Sequence, residues 1–150
     1  MSILVLAELD GNKLKSLDAH VVSAAAAWQQ PIDLLVYGSQ VDEAAREAAN
    51  LSGVARVLVA QADHFAHPLV EDVQDLVLSI AKEYSVIVGA HSVLGKSVIP
   101  AIAARLDVAL VTDVVDIHAP SIYVRPEYAG NICSRIENHQ ALQIITVRNT

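Results

Sequence analysis

The chain has 150 residues, of which 53% are hydrophobic but only 4% are aromatic, and its formal net charge is −7. That length fits one domain, residues 1–150, with an aliphatic core that would bury roughly 70% of the surface exposed by the unfolded chain. The ten Lys and Arg residues are scattered, so the clustered positive charge that nucleic-acid binding requires is missing from the sequence.

Four apolar runs, beginning at positions 3, 34, 57 and 86, predict buried strands, and an amphipathic helical pattern follows each. The first helix begins near Ser16 and ends before Pro31. Ser39 and Asp42 have the spacing of a capping box for the second helix, and Pro68 stands at the start of the third. Strands and helices that alternate without linkers predict an α/β fold with a doubly wound, mainly parallel sheet.

The turn at residues 89–97 contains Gly89, Gly95, Lys96 and Ser97, a composition similar to that of a phosphate-binding loop. Five residues separate its glycines where a P-loop has four, so we interpret it as a strand-to-helix turn at the carboxyl edge of the sheet. Pro100 then allows two predictions for the fourth helix. Either Ser97 caps a late start, or the helix bends at the proline.

After Asp113 the pattern changes to short strand-like segments, and no further helix is predicted. We expect an antiparallel extension of the main sheet, formed by residues 114–117, 122–124, 132–136 and 142–147. The sequence then stops directly after a strand, at Arg148, Asn149 and Thr150, which is typical of a cut between two domains.

No residue pattern predicts a catalytic or metal site. Glu8 with Asp10, or Asp113 with Asp116, could act as acid and base, but solvated loop carboxylates with ordinary pKa values are the favoured interpretation. His64, His67 and His91 have no acidic or Cys partner at a familiar metal-binding spacing, and no nucleophile elbow is present.

One polar cluster, at residues 123–131, stands out from the Ala- and Val-rich remainder. It contains Arg125, Tyr128 and Asn131, together with Tyr123, on a predicted strand and turn. This composition is typical of an interface hot spot. An equally plausible interpretation is structural, with Arg125 paired to one of the carboxylates of the chain.

The single cysteine, Cys133, excludes an internal disulfide and suits a reducing compartment. No apolar run approaches the roughly 18 residues that a membrane-spanning helix needs. We therefore expect a cytoplasmic protein without membrane insertion.

Several segments together resemble the amino-terminal domain of the electron transfer flavoprotein alpha subunit. They are LVLAE at residues 4–8, GKSVIP at 95–100, ARLDVA at 104–109, VRPEYAGN at 124–131 and ITVR at 145–148. The resemblance covers nearly all of the chain, and the GKSVIP and VRPEYAGN segments are its specific part. Leu9, where the family often has His, and Glu127, where an apolar residue is common, are departures.

The resemblance implies a Rossmann-like domain, related to adenine nucleotide alpha hydrolase folds, that packs against a beta subunit in a heterodimer. It also implies a second, carboxyl-terminal domain of the alpha subunit that holds FAD and is absent from these 150 residues. In this family, electrons pass from dehydrogenases, including the acyl-CoA dehydrogenases of fatty acid beta-oxidation, to a membrane quinone oxidoreductase. A eukaryotic member would work in the mitochondrial matrix.

We therefore expect a scaffold and subunit-interface domain, an electron-carrier component and not a catalyst in its own right. Arg125, Tyr128 and Asn131 are the candidate contacts to the flavin domain or the beta subunit, and no flavin is expected to bind this part alone. The alternative is a free-standing module that binds AMP or ATP near Glu8, Gly38 and residues 89–95.

Overall fold

The computed structural model describes residues 1–149, and Thr150 lies outside the described part. The described chain contains eleven strands and four α-helices. The strands are β1 Ser2–Leu6, β2 Leu9–Asp10, β3 Lys13–Leu14, β4 Ile32–Gly38, β5 Val54–Gln61, β6 Tyr84–Ala90, β7 Leu110–Val114, β8 Asp116–Ala119, β9 Ile122–Glu127, β10 Ile132–Glu137 and β11 Gln143–Val147. The helices are α1 Ser16–Ala25, α2 Asp42–Ala49, α3 Val70–Leu78 and α4 Val93–Leu106, with short 3₁₀ turns at Ala26–Trp28, Asp63–Ala66 and Ala81–Glu83.

The central sheet has six parallel strands in the order β5-β4-β1-β6-β11-β7. Its middle strands are apolar on both faces because each face packs against helices, which confirms the predicted doubly wound α/β class. After β1 the chain builds outward to β4 and β5, and it then returns to place β6 on the other side of β1. The carboxyl ends of β1 and β6 therefore meet at the point where the strand order reverses.

The strands after Asp113 do not extend the main sheet in the way the sequence analysis expected. β8, β9 and β10 form a separate three-stranded antiparallel sheet. β11 instead runs parallel and is inserted between β6 and β7. All residues of β11 are buried, and a neighbouring strand on each side satisfies the hydrogen bonds of its backbone.

Three helix details differ from the predictions. Helix α4 begins at Val93 and is capped by Ser92, whose Oγ accepts a hydrogen bond from the Gly95 amide at 3.0 Å, so Ser97 is not the cap and Pro100 lies inside the helix. Ser39 is not a cap either, because α2 begins at Asp42 and Val41 occupies the N-cap position without a side-chain bond.

The third helix is shorter than predicted. The sequence predicts that it starts at Pro68, but α3 runs from Val70 to Leu78, and Leu69 immediately before it is 63% exposed. Tyr84 is the first residue of β6. Its hydroxyl donates to Asp33 at 2.7 Å.

Gly95 is required by the close approach of α4 to β6. A Cβ atom at this position would overlap the carbonyl oxygen of Ala90, the last residue of the strand. The turn from strand to helix is therefore as tight as the backbone allows, and any side chain here would push the helix away from the sheet.

Candidate functional site

The residues proposed as interface contacts lie on the β9–β10 hairpin, above the carboxyl ends of β7 and β11. Two of them, Arg125 and Tyr128, line a groove of about 710 Å³, whose other lining residues are Asp113, Pro126, Glu127, Ala129, Gly130 and Arg148. We call this the hairpin groove. Asn131 follows the tip of the hairpin and is exposed, with its amide bonded to the Tyr128 carbonyl at 3.2 Å.

The tip of the hairpin has an unusual backbone. Tyr128, Ala129 and Gly130 adopt left-handed conformations in succession, with φ values of 51°, 57° and 85°. A left-handed residue with a side chain costs roughly 1–2 kcal/mol, and such strain tends to concentrate at functional positions. The conformation presents the Tyr128 side chain to solvent, where 74% of the residue is exposed.

Arg125 is half-buried and only weakly paired. Its Nε lies 4.0 Å from Glu127 Oε1, and this buried nitrogen has no hydrogen-bond partner among the described residues. Glu127 already accepts a hydrogen bond from Ser134 at 2.8 Å. The structural interpretation, in which Arg125 is held by a carboxylate of its own chain, therefore has little geometric support.

Side-chain hydrogen bonds link the residues at the floor of the hairpin groove. Arg148 donates two hydrogen bonds to Asp113, at 2.8 and 2.7 Å, and this guanidinium holds the pKa of Asp113 below its usual range. Thr146 Oγ1 accepts the Asp113 amide at 2.9 Å and also contacts His91 Nδ1 at 3.0 Å. Burial lowers the pKa of His91 from its usual value. This network joins the ends of β6, β7 and β11.

Asp113 and Asp116 do not form an acid and base pair, because Asp113 is fully engaged with Arg148. Tyr123 is a core residue and not part of the exposed cluster. It is 0% exposed, packs against Trp28 with ring centroids 6.2 Å apart, and donates to Gln143 at 2.8 Å.

A second polar cluster, which the sequence analysis missed, lies between β1, β6 and α1. Glu8 is 5% exposed and is therefore not a solvated loop carboxylate. Its Oε2 accepts the Ser92 hydroxyl at 2.5 Å, and its Oε1 accepts Lys15 Nζ at 3.4 Å. The Glu8 amide donates to both carboxylate oxygens of Asp18, at 3.0 and 3.1 Å.

Asp18 is completely buried, and burial raises its pKa to about 7. The nearby charge of Glu8 acts in the same direction, while the amide of Glu8 and the charge of Lys15 oppose it. The carboxylates that the sequence patterns singled out were Glu8, Asp10, Asp113 and Asp116, and Asp18 was not among them. The sequence does show that Glu8 and Ser92 are each polar residues that come soon after a buried strand. It does not show that those two strands are neighbours in the sheet.

This cluster does not fit the pyrophosphate of a dinucleotide such as FAD. The Gly95 amide at the start of α4 already donates to Ser92, and the Glu8 carboxylate lies beside it. At the start of α1 there is also a carboxylate, because Asp18 lies in the first turn of that helix. An anionic phosphate at either helix start would meet a carboxylate where it needs a free amide.

Within residues 1–149, no three His, Cys, Asp or Glu side chains are grouped so that they could hold a metal ion. His64 and Phe65 pack ring against ring in the turn before α3, with centroids 4.2 Å apart. No helix within residues 1–149 has the length and apolar character of a membrane span.

Comparison with known proteins identifies a family. The family described as "Electron transfer flavoprotein domain" matches residues 3–150. The chain is 37% identical over 150 residues to "Electron transfer flavoprotein subunit alpha" of Pseudomonas aeruginosa, covering 100% of this chain and 48% of that protein. It is 38% identical over 150 residues to the protein of the same name from Bradyrhizobium diazoefficiens, with the same coverage.

A eukaryotic relative also matches. "Probable electron transfer flavoprotein subunit alpha, mitochondrial" of Caenorhabditis elegans is 33% identical over 151 residues, which cover 99% of this chain and 46% of that protein. The chain thus spans about half the length of the curated relatives it matches.

Proposed function

The chain belongs to the electron transfer flavoprotein family, where it corresponds to the amino-terminal part of alpha subunits, and from this we propose that it is the scaffold and subunit-interface domain of such a carrier. In this proposal the FAD is held by a second domain of the alpha subunit, and a beta subunit completes a heterodimer. The chain itself catalyses no reaction.

The assembled carrier would accept electrons from dehydrogenases, acyl-CoA dehydrogenases among them, and pass them to the respiratory chain through a quinone oxidoreductase. The work would take place in the bacterial cytoplasm, or in the mitochondrial matrix if the chain is eukaryotic. This chain is similar both to a relative from Pseudomonas aeruginosa and to a relative of Caenorhabditis elegans that is named as mitochondrial, and these similarities support either location.

The hairpin groove is the surface through which we propose that the domain meets its partners. The single observation that carries this assignment is the combination of strained backbone, exposed Tyr128 and incompletely paired Arg125 at one rim. Aromatic and Arg side chains are the residues that dominate interface energetics when a partner desolvates them. Asn131 adds an exposed amide at the same rim.

The position of the groove suits a partner from the same subunit. Arg148, one residue beyond β11, is part of its floor. A polypeptide that continued past residue 150, as the relatives do, would leave the domain beside this groove. The second domain is therefore the partner that could reach the hairpin with the shortest connection.

The test substitutes Arg125 by Ala in a full-length alpha subunit that is co-expressed with its beta subunit. We expect assembly to weaken by about tenfold or more, because the Arg125 guanidinium is lost from the proposed contact. Size-exclusion chromatography would measure the assembled fraction, and flavin absorbance would measure the FAD retained.

Arg135→Ala is the matched control. Arg135 lies on the same hairpin and is exposed. It pairs with Val124, which neighbours Arg125 in the strand, so the Arg135 side chain lies on the opposite face of the sheet from Arg125. If both variants assemble as well as the unsubstituted protein, the interface assignment is wrong. If both lose assembly equally, the hairpin fold and not the groove is what matters.

A further inference from the structure

Arg125 lines the hairpin groove with a charge that its own chain leaves poorly compensated. Its buried Nε has no hydrogen-bond partner among residues 1–149, and Glu127 Oε1 stands 4.0 Å away, which is beyond hydrogen-bonding distance. The side chain is 30% exposed, so part of it remains accessible from the groove. An ionised group with unmade hydrogen bonds costs free energy that a bound partner can recover.

The residues beside Arg125 on the same face of β9 are anchored. Alternation along the strand places Tyr123, Arg125 and Glu127 on one face. Tyr123 is 0% exposed and belongs to the core. Glu127 accepts a hydrogen bond at 2.8 Å from Ser134, which is the cross-strand neighbour of Arg125. The strand therefore presents the guanidinium at a defined place in the groove.

Cations prevail at the floor of the hairpin groove. Arg148 and Asp113 offset each other through two hydrogen bonds, at 2.8 and 2.7 Å. Burial lowers the pKa of His91, and the charges of Lys96, Arg148 and Arg125 act in the same direction, opposed by Asp113. Three cations thus surround this point in a chain whose net charge is −7, and such a local field favours an anion.

A carboxylate suits this groove better than a phosphate does. The lining residues belong to β7, to the hairpin and to the segment after β11, so no helix start directs its amides at the groove. Glu127 on the same wall would repel the double charge of a phosphate more than the single charge of a carboxylate. A guanidinium also matches a carboxylate in shape, since the two can form parallel hydrogen bonds.

From this geometry we propose that the partner of the hairpin groove contributes the carboxylate of an Asp or Glu side chain, which pairs with the Arg125 guanidinium. Tyr128, which is 74% exposed at the rim, covers this ion pair in the assembled protein and excludes water from it. The inference rests on the interface proposed above and adds the chemistry of the partner's contact.

The test exchanges the charges in a full-length alpha subunit that is co-expressed with its beta subunit. We expect Arg125→Glu to lower the assembled fraction by about tenfold or more, because two carboxylates would then meet. Each Asp and Glu of the second domain and of the beta subunit is next replaced by Arg, one at a time. One of these replacements should restore the assembly of Arg125→Glu to within about threefold of the unsubstituted protein, measured by size-exclusion chromatography.

Two further variants show whether charge is what matters. Arg125→Met keeps the length of the side chain without its charge, and it should assemble as poorly as Arg125→Ala. The rescuing replacement should impair assembly while Arg125 is intact. Arg135→Glu, on the opposite face of the hairpin, is the matched control and should not relieve that impairment.

Three results would overturn the carboxylate contact and leave the interface in place. They are the absence of any rescue of Arg125→Glu, normal assembly of Arg125→Met although Arg125→Ala fails, and assembly of Arg125→Met with loss of FAD. The last result would assign the anion to a flavin phosphate. If Arg125→Ala itself assembles normally, the interface is wrong and the carboxylate contact falls with it.

Discussion

Replacement of Asp18 by Asn tests the electrostatics of the edge where β1 meets α1. Asp18 is 0% exposed, and burial raises its pKa from 3.8 to about 7. The folded protein therefore holds a proton on this carboxyl at pH values where the unfolded chain has lost it. Asn keeps a carbonyl oxygen that can accept the Glu8 amide, but it has no proton to lose.

The sign of the effect follows from proton linkage. Between pH 3.8 and about 7 the folded state binds more protons at Asp18 than the unfolded state, so this residue makes the protein less stable as the pH rises. The loss is about 1.4 kcal/mol for each pH unit inside that window, which amounts to up to about 4 kcal/mol across it. Above pH 7 the contribution levels off, with the full cost of a buried charge present.

The assay is urea unfolding of the unsubstituted chain and of Asp18→Asn, at half-unit steps from pH 5 to pH 8. We expect similar stability at pH 5 and a growing advantage of the variant toward pH 8, by about 2–3 kcal/mol. Contributions from other groups, His91 included, are common to both proteins and cancel in the difference. Asp42→Asn, at an exposed carboxyl in the first turn of α2, is the control. A difference that stays constant over this range would refute the argument.

Three further substitutions test the packing. Gly95→Ala should lower the free energy of unfolding by about 1–3 kcal/mol in thermal or urea denaturation, because its Cβ would overlap the Ala90 carbonyl; unchanged stability would show that α4 can shift freely. Arg56→Ala should lower the urea midpoint more at pH 7 than at pH 4. Arg56 holds the pKa of buried Asp33 below its usual value, and in the variant the unpaired charge of Asp33 is removed by protonation at low pH. Equal losses at both pH values would contradict this. Trp28→Phe should cost about 1–2 kcal/mol, measured by urea unfolding, through loss of the 3.0 Å bond from its indole to the loop between β8 and β9; a change below about 0.5 kcal/mol would indicate that the bond contributes little.

The parallel half of the fold could be predicted from the sequence because its signals are local. A strand buried on both faces is a continuous apolar run, and the runs that begin at positions 3, 34, 57 and 86 all became strands of the central sheet. The position of β11 in the sheet could not be predicted in this way. Its run looks like those before it, and its place between β6 and β7 depends on which sheet edge is free in space.

Among the polar groups, too, local clusters could be predicted from the sequence and clusters formed by distant segments could not. Arg125, Tyr128 and Asn131 were noticed because they are close together in sequence, and the hairpin keeps them together. Whether they bind a partner is still a prediction. The Glu8 cluster was missed because Ser92 lies 84 positions away from Glu8, and only the strand order brings the two together. Patterns within one segment reveal sites formed by that segment, but not sites assembled from several.

The insertion of β11 has a consequence for the order of events during synthesis. When the ribosome has made β6 and β7, these two strands cannot pair with each other, because the space between them belongs to Gln143–Val147. A nascent chain at that stage carries two unpaired apolar strand edges, which are the surfaces most prone to pair with other chains. Both edges stay open until β11 arrives, because the hairpin of β9 and β10 that emerges in this interval contacts β7 but belongs to a separate sheet.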